Sequence, residues 1–101
     1  SERMNRSDLR AVVSNRDGGC LLAELDPIHE CEDQWGRGHS PYDLSKLTLE
    51  HVRELPGGRR RDEPGWCVAL CHRANIEHAL TRKDVRAEVL AYLRGIRRVT
   101  G

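Results

Sequence analysis

Four cysteines and no phenylalanine in 101 residues limit what this chain can fold into. A chain of this length supports one domain, read over residues 1–101, with a small core. Only 38% of its residues are hydrophobic and 4% aromatic, so large apolar side chains alone do not fill that core. Small scaffolds of this kind are stapled by a metal, by disulfides or by a partner. No apolar run reaches the length of a membrane span, and no signal-peptide pattern opens the sequence. The expectation is therefore a cytoplasmic, intracellular protein whose thiols stay reduced, where clustered cysteine favours metal over disulfide. A secreted domain with two disulfides is the competing reading.

Thiolates hold zinc tetrahedrally, and a site with four protein ligands is closed and structural. Cys20, Cys31, Cys67 and Cys71 are the expected ligands of such a Zn²⁺ site. Their spacing is irregular, and His29, His72 or His78 could replace one thiolate. Binding would tie the acidic segment 24–33 to the segment around Cys67 and Cys71, coupling metal binding to folding.

Periodicity places the elements. Ser7 as an N-cap, Leu9, Val12 and Val13 on one face, and Gly18 as a stop predict a helix over about residues 8–16. Cys20-Leu21-Leu22 reads as a brief strand. Residues 26–44 lack periodicity and read as a long loop, uncommon unless functional or tethered. Leu47, Leu49 and Val52 mark a strand, Pro56-Gly57-Gly58 a turn, and Val68 and Leu70 a short strand or turn leading into a helix. Thr81 with Asp84 as a capping pair, then Val85, Val89, Tyr92, Leu93 and Ile96, predict an amphipathic helix over about 82–97. Trp35 and Trp66 read as core or loop anchors.

The net charge of +1 does not mark a nucleic-acid binder, but Arg59-Arg60-Arg61 and the cluster Arg94, Arg97, Arg98 are local basic patches. A split constellation flanks the first of them. Leu47-Thr48-Leu49-Glu50-His51-Val52 and the Gly-Gly turn come first, and Cys71-His72-Arg73-Ala74-Asn75 follows. Phosphodiester hydrolysis needs an activated water and positive charge on the developing phosphorane. A histidine can take the water's proton, and oxygen ligands can hold a hard divalent cation.

These segments resemble the HNH endonucleases, in which an acidic residue directly precedes the histidine and a Gly-Gly turn follows. Cys71–Asn75 is similar to the variant ending in Asn, and Arg16-Asp17-Gly18-Gly19-Cys20 to the segment that opens many such domains. The resemblance covers about residues 10–80, with a core motif at about 45–80, and is strongest to small proteins of phages and prophages. It implies an α+β fold: a zinc-stapled ββα-metal (His-Me finger) motif with flanking helices. It implies that His51 is the general base. It also implies that Glu50 and Asn75 bind a catalytic Mg²⁺, Mn²⁺ or similar ion, with His72 or His78 as alternatives to Asn75. Where the pattern has a middle Asn, this chain has Trp66, and where it has a second thiolate, Ala74. DNA is the implied substrate, with Arg53, Arg59, Arg60, Arg61 and Arg73 as phosphate contacts. Phage packaging or host proteins are further partners the resemblance allows. A catalytically inactive zinc module that binds nucleic acid or protein is the alternative.

Overall fold

The computed structural model describes residues 4–55 and 57–100, and shows a small α+β fold built on one two-stranded antiparallel sheet. The elements in chain order are α1 (Arg6–Asp17), α2 (Leu21–Leu25), β1 (Leu47–His51), β2 (Cys67–Cys71), α3 (His72–Ile76) and α4 (Lys83–Thr100). Single 3-10 turns occupy Leu44–Lys46, Pro64–Trp66 and Ala79–Thr81.

β1 and β2 pair in the register Leu47↔Cys71 to His51↔Cys67, and Val52 N donates to Trp66 O just past the ladder. An isolated two-stranded ribbon is marginal in water. Here every residue of β2 is buried, because α1 crosses the sheet while α2 and α3 also pack on β2. Leu9 and Val13 of α1, Leu47 and Leu49 of β1, and Val85, Val89 and Leu93 of α4 fill the core. The last three are spaced i, i+4, i+8, the stripe expected of a helix laid against a core.

Several local expectations are corrected. α1 starts earlier than predicted, because Asn5 is its cap: Asn5 Oδ1 accepts from Asp8 N at 2.8 Å and Asn5 Nδ2 donates to Asp8 Oδ2. Val12 turns to the surface, while Leu9 and Val13 carry the buried face. Residues 20–22 are not a strand. Cys20 opens α2, and Leu21 and Leu22 enter the core from that helical turn. Three consecutive apolar residues suit either element, and packing beside β2 selects the helix. α4 begins at Lys83, and Thr81 is not its cap, since its hydroxyl donates to His78 O.

The turn before the basic run closes through Gly58 N donating to Leu55 O at 2.8 Å, with Gly57 at φ 74°. A positive φ at the third residue of a turn is the position glycine takes without strain. Pro56 of the expected turn lies outside the described residues. Among the described residues, no helix is long and apolar enough to cross a membrane.

Candidate functional site

Two polar centres sit at opposite ends of the hairpin. The first gathers Cys20, His29, Cys31 and Cys71, whose ligand atoms all lie within 4.8 Å of one another. Each arrives from a different local device. Cys20 leads into α2, and its Sγ accepts from Cys71 N at 3.3 Å. Cys71 ends β2 and caps α3, with Sγ accepting from Ala74 N at 3.4 Å. His29 Nε2 lies 3.2 Å from Cys71 Sγ.

Cys31 sits on a tight knuckle formed by residues 31–39. Glu32 bridges Gly38, His39 N donates to Cys31 O, and Asp33 Oδ1 accepts from the amides of Trp35 and Arg37. Gly36, at φ 76°, makes the turn of that knuckle. Arg73 fastens the knuckle to α3: its amide donates to Glu32 O and its guanidinium to Glu30 O, Glu32 and Glu77.

The thiols of this cluster act on one another. The Cys20 thiol donates toward Cys71 and holds the Cys71 thiol well below the ordinary range, with Ala74 N and His29 adding to the effect. That donation and burial push Cys20 up, and burial followed by the charge of Cys71 pushes Cys31 up to about 11. Three sulfurs and one imidazole suit a tetrahedral ion, whose ligand–ligand edges are ~3.5 Å for typical zinc bond lengths. The cluster could therefore hold a metal such as zinc.

Cys67 is not among these ligands. It sits at the far end of β2 from Cys71, fully buried, with Sγ directed at Arg61 O at 3.6 Å. Burial, the largest influence, pushes its thiol up to about 11. His29 takes the place expected for it, and all four cysteines are free of disulfides. His72 lines a shallow surface depression with Arg10, Trp35 and Thr48, and His78 is exposed with a left-handed backbone at φ 53°. Neither histidine joins the cluster.

The second centre is the end of β1. Glu50 and His51 are both half-buried. Thr48 donates to Glu50 Oε1 at 3.4 Å, two residues along the same strand face. Burial, the largest influence, raises the Glu50 carboxyl above its ordinary range, and Thr48 and the charges of Arg6 and Arg60 oppose it. β1 ends at His51, whose Nε2 meets Asp62 Oδ1 at 2.6 Å. Asn75 lies in the last turn of α3, a helix that touches both strands, and its carbonyl accepts from His78 N. Among the described residues, Glu50 belongs to no group of three or more His, Cys, Asp or Glu ligands.

The loop that carries Asp62 is clamped where it rejoins β2. Arg16 donates to Pro64 O at 2.5 Å and Cys67 O at 2.6 Å, and Arg97 donates to Gly65 O at 2.7 Å. A side chain at Gly65 would run into Arg97 Cγ, so glycine there admits the arginine. Two guanidinium groups lie over the Trp66 ring, Arg61 at 4.6 Å and Arg97 at 3.9 Å from its centre. Trp66 is thus a loop anchor, as expected, whereas Trp35 is 70% exposed and belongs to no core.

Asp17, its side chain fully buried, joins the layers. It accepts from Arg16 Nε, from Ala69 N of β2 and from the Tyr92 hydroxyl of α4. The Arg16–Cys20 segment therefore does four jobs in five residues. Arg16 and Asp17 tie strand and loop, and Gly18, left-handed at φ 70°, ends α1. Gly19 passes against Pro41 O where no Cβ would fit, and Cys20 enters the cysteine–histidine cluster.

The expected phosphate contacts divide. Arg59, Arg60 and Arg61 are exposed around the Asp62–Trp66 loop, and Arg53 is exposed with its carbonyl taken by Arg86. Arg73 is spent on the knuckle. Sequence reasoning missed Asp62, which no periodicity or spacing marks, and although it placed Tyr92 on the α4 stripe and Asp17 in the Arg16–Cys20 segment, it did not bring the two together. No family model, no curated protein and no solved structure matches the chain.

Proposed function

We propose that this chain is a metal-dependent endonuclease of the HNH type, hydrolysing phosphodiester bonds in DNA, with the Cys₃His cluster as its structural zinc site. The observation that carries the reading is the end of β1. There a half-buried carboxylate, Glu50, adjoins a histidine whose ring is held at one nitrogen. The chain order strand, strand, helix, with Glu50 and His51 on the first and Asn75 on the last, supports it.

Glu50 fits an ion ligand. It is an oxygen donor whose burial leaves its negative charge poorly solvated, the condition a cation relieves. A divalent ion bound by Glu50 and Asn75 would supply positive charge to the phosphorane and the leaving oxygen. His51 accepts the proton of the attacking water on its free ring nitrogen as the new P–O bond forms. The bridging P–O bond breaks, and the leaving oxygen takes a proton from solvent. Arg59, Arg60 and Arg61 provide exposed positive charge beside this edge, suited to the DNA backbone.

A plasmid-nicking assay across Mg²⁺, Mn²⁺ and related ions tests the proposal. Wild type should nick, and His51→Ala should lose about 10²- to 10⁴-fold in rate while retaining zinc. Wild type inert with every ion would end the enzyme reading and leave a zinc-stapled binding module.

A further inference from the structure

We propose that Asp62 is the positioning residue of His51: its carboxylate fixes the imidazole with hydrogen on Nε2 and the lone pair on Nδ1. The inference rests on the nuclease reading for its kinetic consequence, but not for its geometry. The contact, Nε2 to Oδ1 at 2.6 Å, is at the short end for a charge-assisted hydrogen bond. A carboxylate can only accept, so Nε2 must carry the proton, and the second ring nitrogen is left as the base.

The environment suits such a partnership. The His51 side chain is only 11% exposed while Asp62 is 39% exposed. The imidazole is therefore held and the carboxylate is half solvated. Asp62 has Arg60 Nε at 4.0 Å on its outer side. Across the ladder from His51 stands Cys67, directed at Arg61 O.

Asp62 can hold the ring only because its loop is held. Two residues on, Pro64 O is taken by Arg16, and Gly65 O is taken by Arg97. Trp66, whose ring meets the guanidinium groups of Arg61 and Arg97, receives Val52 N on its carbonyl, directly after His51. These contacts brace the loop at the place where the resembled pattern has a middle Asn and this chain has Trp66.

In the reaction, water loses a proton to Nδ1 as its oxygen bonds phosphorus, the bridging P–O bond breaks with the leaving oxygen taking a proton from solvent, and the imidazolium formed keeps its Nε2–H bond to Asp62 until it returns its proton to solvent. An orienting carboxylate of this kind adds to rate without touching substrate.

Two measurements test this. In a proton NMR spectrum, wild type should show a ring N–H signal far downfield of the amides, absent in both His51→Ala and Asp62→Ala. In nicking assays, Asp62→Ala should lose roughly 10- to 100-fold in kcat with KM within about twofold, and Asp62→Glu should recover part of the loss. A downfield signal that persists in Asp62→Ala, or unchanged kcat in Asp62→Ala when His51→Ala is inactive, would overturn the proposal. If wild type shows the signal but nicks nothing, the positioning contact stands and the nuclease reading fails.

Discussion

The two ends of the hairpin are built on opposite plans. At the Cys71 end, four ligands from three segments converge in a closed, mostly buried cluster whose sulfurs also cap a helix and accept backbone amides. At the His51 end, Glu50, His51 and Asp62 are half-buried, lie beside an exposed arginine run, and come from one strand and the loop after it. A closed set of soft ligands joining distant segments holds a fold together. On the proposed reading, the more open edge with oxygen and nitrogen donors is where a substrate would bind. If the proposed function holds, the contrast separates what the chain needs to fold from what it needs to act.

The largest expected effect breaks the first end. Chelation, or Cys71→Ser, should abolish zinc binding and cooperative unfolding, since structural zinc contributes on the order of 10 kcal/mol in small domains. Cys67→Ala should keep one zinc per chain and cost on the order of 1 kcal/mol from lost packing. Metal analysis and thermal melts by circular dichroism read both. Equal metal loss in the two variants would return Cys67 to the ligand set.

The second test concerns the link between the ends. Asp17→Ala should cost about 3 kcal/mol, because it strands a mostly buried Arg16 and the Ala69 amide. Tyr92→Phe should cost about 1 kcal/mol for one hydrogen bond. Burial, then the Asp17 carboxylate, pushes the Tyr92 hydroxyl up to about 12. A raised folded value means that this contribution is complete below the ordinary value of 10 and is lost as pH rises through about 12. Denaturant melts between about pH 9 and 12 should show a smaller alkaline loss in Tyr92→Phe than in wild type, the remainder coming from the raised thiols of Cys31 and Cys67.

The smallest effect sharpens the second end. Burial raises the Glu50 carboxyl, so Glu50 favours the fold only while protonated, and that contribution is lost as pH rises through its folded value. Above the ordinary carboxylate range its burial therefore weakens the metal-free fold. Glu50→Gln should therefore raise the melting temperature slightly while removing ion-dependent nicking, the reverse of the cysteine variants. A lower melting temperature in Glu50→Gln would make Glu50 a structural residue.

Much of the local architecture was legible because it rests on short-range rules. The α4 stripe Val85, Val89, Leu93 and the strand around Leu47 and Leu49 were written in periodicity. The turn at Gly57 was written in residue type. Capping was less so: Asn5, Ser7 and Thr81 are all competent caps, and only the built helices show which one is used. The Cys20–Leu22 segment misled because an apolar triplet has no period of its own.

The sequence by itself determined that the chain is small, poor in core side chains and in need of a staple, and that thiols and imidazoles are there to supply one. It also placed an acid and a histidine side by side before a tight turn. Only the tertiary structure decided that His29 and not Cys67 completes the cluster, and that Asp62 faces His51. The physical reason is the same for both. His29 meets Cys71 across 42 residues of chain, and Asp62 meets His51 across a loop of 11, where no repeat ties spacing to distance. Pairing register sends Cys71 and Cys67 to opposite ends of one strand, although in sequence they look like a ligand pair.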